Sequence, residues 1–419
     1  MSEPLCVNGP RLRADLESLA QIGRSASGGI DRAAFSEADG EARAWYQDRC
    51  HAAGLEVRLD GLSNMFAQPP GTWDEAPAVW TGSHIDTVPD GGPLDGALGT
   101  VAALECVRRL TEAGIELVRP VRSVVFADEE GNYSHLLGSY GVAHGYERSR
   151  LSTMTGRDGD RLIDAMASWP WSRGEPTSTR IDSGDIHAFV ELHIEQGPHL
   201  EESGTPIGVV TSIVGLGSGE LDFVGRPDHA GTTPMNMRRD ALRGAADFLT
   251  RLTDLASAVS PEAVITCGLL HVEPGGGNVV PRLARLTLDY RDPDPACLAR
   301  LTAAIEDTAR QSASVHDVEH LWRGDPVVRP VPLDAEVQRV IRDAAVDRGL
   351  GTMALPSGAG HDAQNMAALA ATGMIFVPSA GGRSHSPLEH TDFEHLEHGA
   401  NVLLETLLRL ARAPETRAD

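Results

Sequence analysis

Cysteine is scarce. Cys6, Cys50, Cys106, Cys267 and Cys297 are scattered, odd in number and never in CxxC spacing. That excludes a disulfide framework and a thiolate zinc site as organising elements, and it fits a reducing cytoplasm. Long apolar runs are also missing. Nowhere do 18 or more apolar residues follow one another, so no segment reads as an ordinary spanning helix. The opening MSEPLCVNGPRLRADLESL lacks a basic stretch followed by an apolar run and does not read as a signal peptide. Positive charge is short as well, with 36 basic residues against 60 acidic and a net charge of −24. Such a chain is not expected to partner nucleic acid through its phosphates or an anionic membrane surface. An anionic substrate would need a local cationic pocket, containing arginine, to overcome the overall field. Internal repeats and low-complexity tracts are absent too.

What remains is a globular composition, 41% hydrophobic and 23% charged over 419 residues, with a sizeable core and length for two domains. The first half alternates buried strands with helices. Strands are expected at Ala78–Thr81, Val121–Ala127 and His187–Ile194, and a helix at Gly99–Ala113. This is the signature of an α/β domain with a mainly parallel sheet. From about residue 213 the order becomes strand Glu220–Val224, helix Arg239–Leu255, strands Ala263–Val272 and Leu283–Arg291, helix Ala296–Gln311 and strand His316–Trp322. That β-α-β-β-α-β order is the ferredoxin-like unit. Alternation then resumes with helix Ala335–Arg348, strand Met374–Val377 and helix Phe393–Ala411. The expected architecture is a catalytic α/β domain, residues 1–212 and 329–419, interrupted by a ferredoxin-like domain at 213–328.

Chemistry-bearing residues follow the expected strands. His84 and Asp86 form a His-x-Asp at a strand end, where open α/β sheets bind ligands. His84 would offer one ring nitrogen to a metal while Asp86 accepts a hydrogen bond from the other. Asp95 stands before a helix in a Gly-rich segment, either as an N-cap or as a carboxylate shared between cations. Asp128, Glu129 and Glu130 end a Val/Phe-rich strand. Convergent carboxylates repel, and cations relieve that repulsion. One glutamate then ligates while its neighbour acts as general base. His193 and His385 also follow strands. Nitrogen and carboxylate donors without thiolates suit zinc, manganese or cobalt in a hydrolytic site.

The segments GSHIDTVPDGGPLDGALGTVAALE, FADEEG, ELHIEQGP, HAGTTPM, Asn278 with LDYR, SGAGHDA and SHSPLE together resemble the hydantoinase/carbamoylase branch of the metal-dependent aminoacylase and carboxypeptidase superfamily. That branch includes N-carbamoyl-L-amino-acid hydrolases, allantoate and ureidoglycolate amidohydrolases and β-ureidopropionases. The resemblance runs from about Val7 to Asp392. It implies two divalent metals per subunit bridged by Asp95, one completed by His84 and His193 and the other by Glu130 and His385. It implies Glu129 as general base, His229 as stabiliser of the oxyanion, and Gln196, Asn278, Arg291, Gly360 and His361 as substrate-binding residues. Arg291 would be the cationic group that the composition demands. A homodimer through the inserted lid domain is also implied.

The chain departs from the family pattern at Asn132-Tyr-Ser-His135, where Arg-Phe is usual, at Val214–Gly219, at Asp228 and at Arg383. Arg383, beside a ligand, is a candidate for recognising a second anionic or carbonyl group. The expected activity is hydrolysis of a carbamoyl or ureido C–N bond on a small carboxylate, foremost an N-carbamoyl-L-amino acid. Allantoate or ureidoglycolate hydrolysis is the alternative, then aminoacylase or dipeptidase action. A catalytically silent binding protein is the competing class.

Overall fold

The computed structural model describes residues 4–73 and 77–412. The chain divides into two compact units, one of Met1–Thr211, Leu333–Leu355 and Ala359–Asp419, the other of Ser212–Pro332 with Pro356–Gly358. In chain order the strands are β1 Glu56–Leu59, β2 Met65–Gln68, β3 Ala78–His84, β4 Val121–Phe126, β5 Ile186–Ile194, β6 Ile207–Ile213 and β7 Gly215–Val224. Then follow β8 Val264–Glu273, β9 Leu283–Asp292, β10 Glu319–Gly324, β11 Val331–Pro332, β12 Thr352–Ser357 and β13 Ala371–Val377.

In the larger unit the strands lie in the order β1-β2-β4-β3-β5-β13-β6, with β12 also paired to β6. The middle four are parallel, and β2 and β6 join them antiparallel on either side. β3 is buried along its whole length and β4 and β5 nearly so, as strands covered on both faces must be. Helix Ala97–Glu112 is buried from Ala97 through Arg108, packed against the sheet and against helices Gly9–Leu19 and Phe393–Arg412. Because β4, β3, β5 and β13 run the same way, their carboxyl ends share one edge of the sheet.

The smaller unit has an antiparallel sheet in the order β10-β7-β9-β8, the ferredoxin-like arrangement. β9 alternates strictly, and its buried Ala284, Leu286, Leu288 and Tyr290 form a core with Phe248, Leu298, Leu301 and Ile305 from the helices. The single helix expected over Arg239–Leu255 is two, Ala241–Thr250 and Leu252–Val259. At the junction the Arg251 N–H bonds to the Phe248 carbonyl, a tighter turn than the α-helix makes. The Thr250 hydroxyl bonds back to the Asp247 carbonyl there, competing with the regular ladder. The last strand starts at Glu319, not His316, because the preceding helix runs on to Val315 and Asp317 turns with φ of 49°. β1, β2, β11 and β12, short or edge-placed, carry no periodicity that separates them from loops, while β6 is a seven-residue inner strand between β13 and β11.

Candidate metal centre

The parallel sheet delivers the ligands to one edge. His84 is the last residue of β3, Glu129 and Glu130 follow β4, His193 lies near the end of β5, and His385 follows β13. Asp95 comes from the turn before helix Ala97–Glu112. The N-cap reading falls: the N-cap of that helix is Gly96, with no side-chain cap, and the Asp95 carboxylate turns toward the histidines. Gly96 makes this approach feasible. Its φ is 64°, and a Cβ there would lie 2.4 Å from the His84 ring.

Asp95 divides its two oxygens. Oδ1 lies 3.7 Å from His84 Nε2 and 3.2 Å from His193 Nε2, while Oδ2 lies 3.2 Å from His385 Nε2. Glu130 Oε1 is 3.5 Å from that same His385 nitrogen. Glu129 Oε2 is 3.6 Å from His84 Nε2. Two groups of donor atoms, His84–Asp95–His193 and Asp95–Glu130–His385, therefore share one carboxylate, each compact enough for a single ion.

Ring orientation is set by backbone acceptors. The Nδ1 atoms of His84 and His193 lie 3.0 Å from the Asp86 carbonyl and 2.9 Å from the Ile194 carbonyl. A carbonyl only accepts, so Nδ1 carries the proton and Nε2 faces the cluster, the tautomer a histidine needs to offer Nε2 to a metal. This corrects the role expected of Asp86. Its carbonyl, not its carboxylate, takes the His84 N–H, because the carboxylate Oδ1 is 3.8 Å from Nδ1. The carboxylate instead accepts the N–H groups of Glu129 and Glu130 at 3.3 and 3.1 Å. Asp86 thereby orients both glutamates. Asp128, at φ of 54°, turns its carboxylate to the N–H groups of Asn132, Tyr133 and Ser134, so it shapes the loop and does not join the cluster.

The electrostatics calls for cations. Burial, with the charges of Glu130 and Asp362, pushes Glu129 well above the ordinary carboxylate range, and burial with the Asp95 charge pushes Glu130 up to about 8. Burial also pushes Asp95 up, but hydrogen bonds from His193 and His385 outweigh it and hold this carboxyl well below its usual range. His193 is drawn up to about 9, its burial overcome by the Asp95 carboxylate. His385 rises to about 9 chiefly through its bond to Asp95. Glu130 Oε1 is buried with no hydrogen-bond partner among the described residues. Left to its protein neighbours the cluster takes up protons at the atoms that would bind metal. The residues fit two divalent ions in charge, donor type and an orphaned acceptor.

Of the expected substrate-binding residues, the larger unit holds Gln196, Gly360, His361 and Arg383. Gln196, at φ of 59°, donates from Nε2 to Asp95 Oδ2 at 2.8 Å, and its Oε1 is buried without a partner among the described residues. His361 is buried edge-on to His193, ring centroids 4.6 Å apart. Gly360 has no room for a side chain, since a Cβ would lie 2.7 Å from His135 Nε2. Arg383 is exposed and makes no ion pair among the described residues. The smaller unit holds His229, Asn278 and Arg291. His229 is exposed, and its Nδ1 accepts the N–H groups of Gly231 and Thr232 at 3.0 and 3.2 Å, so neutral His229 presents an Nε2–H donor outward. Asn278, also exposed, is tied to this loop by its carbonyl, which accepts the Ala230 N–H. Arg291 differs from expectation. Its Nε–Nη2 edge is already engaged by Asp289, at 2.9 and 3.2 Å, and Nη1 bonds to the Gly358 carbonyl at 2.9 Å. The cause is strand geometry: residues 289 and 291 share a face of β9.

The profile of Peptidase family M20/M25/M40 matches residues 80–409. An N-carbamoyl-L-amino-acid amidohydrolase from Paenarthrobacter aurescens is 37% identical over 410 residues, 96% of this chain and 98% of that protein. The crystal structure of an amidase of the hydantoinase/carbamoylase family from Burkholderia multivorans is 35% identical. It superposes with a TM-score of 0.90, covering 98% of this chain and all of that one, 100%. The chain belongs to the M20/M25/M40 peptidase family, in its hydantoinase/carbamoylase branch. An allantoate amidohydrolase from Bacillus subtilis is 33% identical over 94% of this chain and 96% of that protein.

In this M20 chain the groups that hold Asp95 carry no local sequence pattern. Ser384 Oγ lies 2.7 Å from Asp95 Oδ2 and 2.8 Å from Glu389 Oε2. Glu389 Oε1 accepts the N–H groups of Leu94 and Asp95 at 2.7 and 3.1 Å. Glu191 is fully buried, bonded to Ser83 and to the Ala363 N–H, and near the buried carboxylate of Asp362, which burial and Glu191's charge push well above the ordinary range. The one available signal was a glutamate interrupting an apolar strand.

Proposed function

We propose that the chain is a two-metal amidohydrolase that cleaves the carbamoyl or ureido C–N bond of a small carboxylate, foremost an N-carbamoyl-L-amino acid. The observation that carries this is the Gln196 amide. Its nitrogen is committed to Asp95 and its buried oxygen awaits a donor. A carbamoyl group ends in an NH2 that donates; an acyl group ends in carbon. A site built around such an acceptor rejects the analogue that leaves it unpaired. Four of the curated relatives are N-carbamoyl-L-amino-acid amidohydrolases, which supports the same reading.

In the proposed mechanism His84, His193 and Asp95 hold one ion, and Asp95, Glu130 and His385 the other; zinc suits them, or manganese or cobalt. Bound divalent ions supply Lewis acidity that polarises the carbonyl and eases deprotonation of water. Glu129, buried and oriented by Asp86, takes the proton from the attacking water and returns it to the leaving nitrogen. His229 donates from Nε2 to the developing oxyanion. Arg291 binds the substrate carboxylate with the N–H that Nη1 and Nη2 each retain, Asp289 keeping its other edge.

We also propose a homodimer formed through the smaller unit. β8 is an edge strand exposing Val264, Leu269 and Leu270, an edge that soluble monomers blunt. Sedimentation of the protein at micromolar concentration tests this, and a monomer would refute it. All five cysteines are free, in keeping with a cytoplasmic setting. No helix among the described residues is long and apolar enough to cross a membrane.

Allantoate or ureidoglycolate is the second reading, favoured by Arg383, exposed and without an ion pair among the described residues, two residues from His385. The test is a panel of N-carbamoyl-L-amino acids, allantoate, ureidoglycolate, N-acyl amino acids and dipeptides, assayed for ammonia or amine release with metal loaded. N-carbamoyl substrates should exceed their N-acetyl counterparts by at least about 100-fold in kcat/KM. Preference for acyl substrates would overturn the reading of Gln196. No turnover on any member would leave a binding protein.

A further inference from the structure

The loop carrying Glu130 is where the chain departs from the family pattern, and the structure shows what the departure builds. Residues 154–162 form a tight hairpin, closed by the Thr155–Arg161 bridge and by the Gly156 N–H on the Asp160 carbonyl at 2.8 Å. This hairpin is seated on the Glu130–Tyr133 loop. A Cβ at Gly156 would lie 2.9 Å from the Tyr133 ring, and the Tyr133 hydroxyl donates to the Asp160 carboxylate. The ring packs edge-on against Phe35, centroids 5.6 Å apart, while Asn132 ties the loop to the Ala34 carbonyl at 3.0 Å. From the hairpin, the Arg157 N–H reaches Asn132 Oδ1 at 3.4 Å, and Arg157 Nη2 donates to the Glu130 carbonyl at 3.1 Å.

The two glutamates are held differently as a result. The Glu129 carbonyl accepts from His135 Nδ1 at 2.6 Å and from the Leu136 N–H at 3.0 Å, both within the same loop. The Glu130 carbonyl has Arg157, and the next residue, Gly131, sits at φ of 75°, where glycine offers the least resistance to rotation of that peptide. Asp86 fixes the amide before Glu130; Arg157 fixes the carbonyl after it. Arg157 has no carboxylate partner among the described residues that would draw it elsewhere, and a charged donor on a carbonyl is the stronger kind of hydrogen bond.

We propose that the 154–162 hairpin is a clasp, with Arg157 as a positioning residue that fixes the Glu130 carboxylate. It thereby sets the metal affinity of the Asp95–Glu130–His385 half of the centre, without acting on the His84–Asp95–His193 half. This rests on the ligand assignment above.

The test is titration of chelator-stripped protein with Co2+, followed by calorimetry and visible absorption. The wild type should show two sites. Arg157→Ala should weaken one of them roughly tenfold, at the low end of what outer-shell changes cost in metal affinity, and leave the other unchanged. Arg157→Lys, which keeps a charged donor, should restore most of the loss. Tyr133→Phe, which unlatches the hairpin without touching Glu130, should weaken the same site to a smaller degree. Two sites of wild-type affinity in Arg157→Ala, or equal weakening of both, would overturn the clasp. His385→Ala serves as the separate control. If it keeps both sites, the ligand assignment itself fails, whatever Arg157 does.

Discussion

In the larger unit, His84, Asp95, Glu129 and His193 are buried, and each is held by at least one backbone or side-chain partner that fixes its direction. In the smaller unit, His229 and Asn278 lie exposed on a loop, and Arg291 is engaged by its own neighbour Asp289. The first region is preorganised: its groups already converge on the two shared ligand sets. The second ties the His229 and Asn278 segments together by backbone bonds but leaves both side chains exposed. Chemistry that must be in place before substrate arrives is built into the packed sheet edge, where burial enforces geometry. His229 and Asn278, proposed to meet only the substrate, lie on an exposed loop where they stay accessible.

The contrast predicts graded losses. Glu129→Gln removes the base while keeping its shape, so kcat should fall about 10³-fold with metal content unchanged by elemental analysis. Near-normal turnover would take Glu129 out of the mechanism. His229→Ala should cost about 10²-fold in kcat, with both metals retained and the larger unit's stability unaffected. If that variant loses metal, the division of labour between the two regions is wrong.

Metal removal sharpens the comparison through pH. In the stripped protein Glu130 is shifted up to about 8 by burial and the Asp95 charge, and His385 up to about 9 by its bond to Asp95. Both shifts are upward, so the folded stripped protein binds more protons than the unfolded chain, and its stability falls as pH rises. The loss begins above the ordinary values of each group and runs through about 8 and 9. Calorimetry of the stripped protein should show Tm declining between those ordinary values and pH 9, with the metal-loaded protein declining less. A flat or rising Tm for the stripped form would contradict the charge balance described.

The convergence of His84, Asp95, Glu129, Glu130, His193 and His385 was legible in the sequence because most of them sit beside a recognisable strand end, and because three adjacent carboxylates after an apolar strand have few stable environments. The ferredoxin-like order was legible for a similar reason, since β9 alternates without a break. What escaped was set by distance along the chain. Ser384 and Glu389 meet the Asp95 segment across separations of 289 and 295 residues, and no local pattern encodes that meeting. Asp86 was placed correctly beside His84 but assigned the wrong partner, because spacing cannot distinguish a carboxylate from its own backbone carbonyl. Asp289 was passed over although it stands two residues from Arg291, where strand periodicity already puts the two side chains together.

The central claim is that Asp95 is shared between two metal half-sites, and equilibrium metal binding to Asp95→Asn tests it most directly. The wild type should bind two divalent ions per chain at a free concentration where Asp95→Asn, folded by circular dichroism, binds neither. Retention of one or both ions at wild-type affinity in Asp95→Asn would contradict the shared-carboxylate centre.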